Sequence, residues 1–320
     1  MKKIFIAVFC AVIVLWLISI FRGDYSRTEY LMDTVVTITA DNKKAVDQCF
    51  LEIERLENMI SCYTADSDTS KINSAPFGEY VNVHKEVSEL LEKADMYKEI
   101  THGAFDISIK PVSDLWDIKG GGYVPTDEEI SNALNCLSDI YIDGNRVALQ
   151  KDGAQIDLGG IAKGYIGDKA KEILKSHNVK SAILDLGGNI VVIGNNGRTP
   201  WKIGIQDPSK PRGTTLGYVE TTDKCVVTSG GYERFFQKDG KTYHHIFDTA
   251  TGKNPDNDIL SVTIISEDGT LADALSTSCF VLGKDKGLEL AREMGAEAII
   301  VTQKGVFMTQ GTALRRDGGK

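Results

Sequence analysis

Basic charge, paired cysteines and hydrolase signatures are scarce or missing in this chain of 320 residues. A formal net charge of −9 argues against nucleic-acid binding, which wants a basic face. Beyond Cys10, five cysteines stand at 49, 62, 136, 225 and 279, odd in number and widely spaced. With no Cys-x-x-Cys pair they indicate neither a zinc cluster nor a disulfide framework, and they read as buried free thiols. Ser229 follows Thr228 without a Gly-x-Ser-x-Gly context, which excludes a serine hydrolase elbow there. No long linker, low-complexity tract or repeat follows Arg22, so residues 24–320 read as one large domain or two intimate lobes.

What is present begins with an uncharged apolar run at residues 4–21, preceded by Lys2 and Lys3 and followed by Arg22. Roughly 20 apolar residues span a bilayer and about 17 set the lower limit, so this run is long enough. Bulky Phe21 offers no signal-peptidase site, and Ala7-Val8-Phe9 lacks the small residue a lipidated Cys10 needs before it. Residues 1–23 therefore read as an uncleaved anchor, set against a cleaved signal or a lipid anchor. The flanking charges favour the N-terminus inside and the body on the extracytoplasmic side of the cell membrane.

Hydrophobic periodicity then orders the body. Residues 29–40 are β-branched and predict one strand, and helices are predicted over 42–60, 84–100, 160–176, 271–281 and 284–294. Thr126 through Glu129 forms a capping box that starts another helix. Asp143-Gly144-Asn145 predicts a hairpin between 140–142 and 147–149. Strands are predicted at 181–186, 189–194, 201–206, 216–221, 225–228, 243–247, 259–266, 297–302 and 305–309. Strand runs mixed with separate helices indicate an α+β fold.

Four stretches could carry chemistry. Asp157-Leu158-Gly159-Gly160-Ile161-Ala162-Lys163-Gly164-Tyr165 turns on two glycines into a helix start beside Lys163. It suits a phosphate, because backbone amides at a helix N-terminus attract anions, but it equally describes a plain tight turn. It is neither a Walker A loop nor a Gly-x-Gly-x-x-Gly turn. Asp273 and Thr277, four apart on a helix, share one face; they suit a hard cation such as Mg²⁺ or are simply helix residues. His244-His245 at a strand end point to opposite faces, so one of them can enter a site as an acid–base group, unless both are structural. Thr101-His102-Gly103-Ala104-Phe105-Asp106 offers a turn that could clasp a planar ring.

In combination these fragments form one ordered series. It runs through Met32-x-Thr34, Tyr63, Ser70-x-x-Asn73, Thr101 to Asp106, Pro111 with Leu115-Trp116, and Asp157 to Tyr165 with Asp168. It continues through Leu186-Gly187-Gly188-Asn189, Trp201-x-x-Gly204-Ile205, Thr228-Ser229-Gly230, His244-His245-Ile246 with Thr251-Gly252, and Ala272-Asp273-Ala274 to Thr277. The series resembles the FAD:protein FMN transferases, the ApbE-type family once labelled thiamine-biosynthesis lipoproteins, over about residues 29–310.

The resemblance implies a two-lobed α+β fold, ApbE-like and related to the T-fold, that binds FAD as substrate and Mg²⁺. It implies cleavage of the FAD pyrophosphate, release of AMP, and FMN joined through its phosphate to a threonine or serine of a target protein. Targets in such a family are subunits of ion-pumping redox complexes and other extracytoplasmic flavoproteins. Carried over, Met32, Tyr63, Ala104, Phe105 and Asp106 become flavin and ribityl contacts. Gly159 and Lys163 lie near the pyrophosphate, and the Ala162 carbonyl, Asp273 and Thr277 form the Mg²⁺ site. His245 becomes the general base at the incoming hydroxyl. Rival readings on the same scaffold are a Mg²⁺-dependent FAD pyrophosphatase and a non-catalytic FAD-binding membrane protein. Three positions depart from the pattern: Asp33 for a usual glycine, Gly231 for a common aspartate, and Thr249-Ala250 for Pro-Arg. No Ser/Thr-Gly-Ala-Ser/Thr stretch occurs in the chain, so self-modification is not indicated.

Overall fold

The computed structural model describes residues 24–316. The expected anchor at residues 4–21 therefore lies outside the described residues, and no helix among the described residues is long and apolar enough to cross a membrane.

Along the chain the elements are β1 (Tyr25–Leu31), β2 (Thr34–Ala40), α1 (Lys43–Ile60), α2 (Asp68–Ser74), β3 (Val81–Asn82) and α3 (Lys85–Ile100). A short 3₁₀ turn at Ile107–Ile109 leads into α4 (Lys110–Trp116) and α5 (Asp127–Asn135). Next come β4 (Ile140–Asp143), β5 (Arg146–Leu149), α6 (Ala162–Ser176), β6 (Ala182–Leu186), β7 (Asn189–Ile193), β8 (Trp201–Gln206), β9 (Thr215–Thr221) and β10 (Cys225–Gly230). The chain finishes with β11 (Phe235–Lys238), β12 (Lys241–His244), β13 (Ile259–Ser266), α7 (Gly269–Leu282), α8 (Lys284–Glu293), β14 (Glu297–Thr302) and β15 (Gly305–Met308).

An eight-stranded sheet in the order β1-β2-β6-β7-β10-β13-β14-β15 forms the centre, and its strand pairs are antiparallel. Period-2 alternation sorts its side chains between two faces. Val191, Val227, Ile264 and Ile300 join the main core under the helices, while Val192, Val226, Ile265 and Ile299 meet Ile203, Ile205 and Val219 of the β8–β9 hairpin. The main core runs from Leu90 and Leu91 of α3 to Leu290 of α8. The two expected lobes thus share one continuous core. A smaller cluster of Val112, Trp116, Ile130 and Phe247 sits beneath α4 and α5.

Local signals explain most element ends. Asn42 caps α1 by accepting from the Ala45 amide, and the Thr126–Glu129 capping box opens α5 as its sequence predicts. The single strand expected over 29–40 is instead a hairpin. Leu31 pairs with Thr34, and Met32 and Asp33 both take positive φ, 54° and 59°. That is the two-residue turn whose twist matches antiparallel strands, and without glycine it leaves no obvious mark in the sequence. The strand expected at 243–247 ends at His244 and pairs with β11, which periodicity did not indicate.

Candidate active site

Two helices create the polar corner of the site. Gly164, in the first turn of α6, donates its amide to Asp273 Oδ2 of α7 at 2.9 Å, and Asn189 Nδ2 donates to Asp273 Oδ1 at 3.0 Å. Each carboxylate oxygen thus keeps a lone-pair direction free. The approach depends on glycine: a Cβ at Gly164 would lie 2.1 Å from Gly269 O and 2.8 Å from Asp273 Cβ. One turn along α6, Asp168 accepts from the Gly269 amide (2.9 Å), the Thr270 amide (2.8 Å) and Thr270 Oγ1 (2.7 Å), capping α7. Burial holds its carboxyl above the usual range even against these donors.

Asp273 is only 4% exposed and Thr277, one turn further on, is half-buried. Thr277 Oγ1 lies 3.4 Å from Ser229 Oγ of β10. Among the described residues no three His, Cys, Asp or Glu side chains gather as a metal cluster. What is gathered is one carboxylate and neighbouring hydroxyls, a hard-oxygen set. Such a set fits Mg²⁺, which takes few protein ligands and keeps water and phosphate in its shell.

The aromatic side is built on Tyr63 and the Asp157 turn. Tyr63 is 64% exposed, and its hydroxyl donates to Asp157 Oδ2 at 3.5 Å. Lys119 Nζ stands 4.8 Å and Lys110 Nζ 5.4 Å from its ring centre. Burial and the Asp157 charge raise the phenol pKa, so the ring carries a proton throughout the physiological range. Ala104 and Phe105, by contrast, are buried, and a Cβ on Gly160 would lie 3.2 Å from the Phe105 ring. The Phe105 ring therefore packs against the Asp157–Gly160 turn.

Asp106 is held within its own turn. Its Oδ1 accepts from the Ser108 amide and hydroxyl at 2.8 and 2.7 Å, and its Oδ2 pairs with Lys98 at 3.1 Å. Both oxygens serve the local turn. Met32 sits at the β1–β2 turn, partly buried against the main core.

The histidine pair divides as its strand position requires. His244 packs edge-on against Phe280, and its Nδ1 accepts from the Ile246 amide at 3.3 Å. His245 Nδ1 lies 3.2 Å from the Arg234 carbonyl. A carbonyl only accepts, so Nδ1 carries the proton and Nε2 keeps the lone pair. Burial pushes both imidazoles down to about 4, and the Lys163 and Arg234 charges push His245 in the same direction. His245 is therefore neutral at pH 7, with Lys163 of the α6 turn close enough to act on it.

The sequence pattern of the ApbE family matches residues 32–300. The chain belongs to the ApbE family. An FAD:protein FMN transferase of Treponema pallidum is 34% identical over 305 residues, covering 87% of this chain and 84% of that protein. One from Klebsiella pneumoniae is 33% identical, covering 87% of this chain and 89% of its own length. The crystal structure of the ApbE protein from Thermotoga maritima superposes with a TM-score of 0.83 at 35% identity, covering 90% of this chain and 97% of that one. The apo Pseudomonas stutzeri flavinyl transferase ApbE gives 0.80 at 29% identity, covering 90% and 95%.

Within this ApbE-family fold, Tyr63 meets Asp157 beside Gly159, the Lys163 charge acts on His245, and Gly164 joins the α6 turn to Asp273, one helical turn before Thr277. Local motifs did not assign roles to Asn189, Asp168, Ser229 or Ser276, although the first three lie in the quoted series. Arg234 and Lys119 were missed entirely. Asp33, standing in place of a usual glycine, binds both: Oδ2 lies 2.9 Å from Lys119 Nζ and 3.3 Å from Arg234. Thr249 donates its hydroxyl to the Gly103 carbonyl and so ties the histidine loop to the 101–106 loop. A Cβ on Gly231 would meet the His244 ring at 2.8 Å. All three departures lie around the rim and leave Asp273 and His245 in place.

Proposed function

We propose that this ApbE-family chain is an FAD:protein FMN transferase that joins the FMN phosphate to a threonine or serine hydroxyl of a target protein and releases AMP. The observation that carries the reading is a neutral His245 with Nε2 free, set beside the α6 turn whose Gly164 orients Asp273. Phosphoryl transfer chiefly needs alignment and charge neutralisation, and the acceptor alcohol needs a base.

In this reading the Ala162 carbonyl, Asp273 and Thr277 hold Mg²⁺, which neutralises pyrophosphate charge when bound. Lys163 orients the phosphates, and Gly159 lets the backbone approach them. Tyr63 covers the flavin, with Met32 and the backbone of Ala104 and Phe105 bordering it. His245 Nε2 takes the acceptor proton while the acceptor oxygen bonds to the FMN phosphorus. The bond from that phosphorus to the bridging oxygen breaks, and AMP leaves with the bridging oxygen. Water is the competing acceptor, since Tyr63 is open to solvent with no protein docked.

The acceptor is proposed as an extracytoplasmic flavoprotein subunit, with residues 4–21 holding the enzyme at the membrane beside it. Incubation with FAD, Mg²⁺ and a threonine-bearing acceptor domain should add the mass of FMN less one water to the acceptor and release an equal amount of AMP. Free FMN with an unmodified acceptor would instead establish a pyrophosphatase. His245→Ala should keep FAD binding and lose transfer, and unchanged transfer would remove His245 from the mechanism.

A further inference from the structure

Three hydroxyls lie in series beside Asp273. Ser276 Oγ donates to the Asp273 carbonyl at 2.9 Å, Ser229 Oγ lies 2.7 Å from Ser276 Oγ, and Thr277 Oγ1 lies 3.4 Å from Ser229 Oγ. A hydroxyl has one proton and two lone pairs, whereas a carbonyl only accepts. The Ser276 proton is therefore directed to Asp273 O, which makes Ser276 the acceptor in its short contact with Ser229. The Ser229 proton is then occupied, so toward Thr277 Ser229 can only accept. The Thr277 proton turns to Ser229, and the Thr277 lone pairs turn away from it.

We propose that Ser229, oriented by Ser276, is a positioning residue that fixes the direction of the Thr277 hydroxyl, so that its oxygen and not its proton faces the cation position beside Asp273. The proposal rests on the Mg²⁺ reading above and deepens it. Reversing the series would aim a positive hydrogen at a cation. The series cannot reverse while Ser276 is held by Asp273 O, and Ser276 is fully buried, out of reach of water that could supply another partner. Ser229 comes from the sheet and the other two hydroxyls from α7, so strand-to-helix packing, not local sequence, sets the polarity.

The test titrates Mn²⁺ into the purified full-length protein with FAD and follows the free Mn²⁺ signal by electron paramagnetic resonance. Ser229→Ala should bind Mn²⁺ about 10-fold more weakly, as loss of an outer partner commonly does. Ser229→Thr should restore affinity. Ser276→Ala frees the Ser229 proton to point at Thr277 and should weaken binding as well; if that buried variant does not fold, the Ser229 pair decides alone. FAD affinity without metal and the melting midpoint should stay at wild type in Ser229→Ala. Wild-type Mn²⁺ affinity in Ser229→Ala, with binding lost in Asp273→Ala, would overturn the inference and leave the cation reading intact. Equal losses in Ser229→Ala and Ser229→Thr would overturn it in favour of packing. Wild-type affinity in Asp273→Ala would overturn the cation reading itself.

Discussion

The residue whose chemistry is most constrained is His245, because one carbonyl selects its tautomer and its surroundings select its charge. With the folded pKa pushed down to about 4 against an ordinary 6.5, the imidazole is a free base across neutral pH. The acid limb of kcat/KM, which reports the free enzyme, should therefore fall near pH 4. A limb near pH 6.5 would contradict the burial of this group. His244 is depressed to a similar value, so both histidines contribute stability that is fully present above pH 6.5. As pH drops from 6.5 toward 4 the unfolded chain takes up protons first and that stability is lost. Melting midpoints should fall through this window, and His244→Gln should flatten the fall.

Asp33 is the residue-scale counterpart at the rim, and Tyr30 also donates its hydroxyl to Asp33 Oδ1 at 2.9 Å. Its ion pairs are half-exposed, and such pairs contribute about 0–1 kcal/mol each. Asp33→Gly preserves the positive φ that the turn needs, so its global stability should change by less than about 1 kcal/mol. The same change releases Lys119 from above Tyr63 and Arg234 from the His245 loop. The expected signature is a raised KM for the acceptor with FAD affinity unchanged, measured by transfer kinetics. An unchanged acceptor KM would make Asp33 a turn residue only.

At the scale of elements, α6 and α7 act as one unit. Gly164 and Asp168, one turn apart on α6, contact the first turns of α7: Gly164 allows the backbones to meet and Asp168 caps the helix end. Gly164→Ala forces the helices apart, and overpacking of this kind costs roughly 1–3 kcal/mol. Asp168→Ala strips the partners from two amides and a hydroxyl, at about 1–3 kcal/mol for each buried group left unsatisfied. Urea unfolding should record both losses. Gly164→Ala should also lower Mn²⁺ affinity, since it displaces the amide that orients Asp273; an unchanged affinity would separate packing from the cation site.

At the scale of the whole molecule, the proposed anchor is open to a direct test. If residues 4–21 anchor the protein, the full-length chain should sediment with membranes, and a chain beginning at Asp24 should remain in the supernatant with its transfer activity intact. Sedimentation of both forms would assign membrane attachment to the body.

Helices were largely legible because their signals are local. Val46, Cys49, Phe50 and Ile53 mark α1, read over 42–60 against Lys43–Ile60, and Thr126 and Glu129 mark the start of α5. The Met32–Asp33 turn was not legible, since positive φ usually advertises itself through glycine, and β11 was hidden by its short length. Asp273, Thr277 and His245 were legible as candidates only through the ordered family series. Local spacing alone describes them equally well as ordinary helix and strand residues.

The amino-acid sequence by itself determined the family, the α+β composition and the residue types available for the chemistry, because motif order and hydrophobic period are properties of the chain. Only the tertiary structure decided that the Phe105 ring meets Gly160, that the Arg234 carbonyl selects the His245 tautomer, and that Asp33 and Arg234 meet across 201 positions. Those outcomes depend on which donor reaches which acceptor. That is settled only when segments distant in sequence pack together, and no single segment carries it.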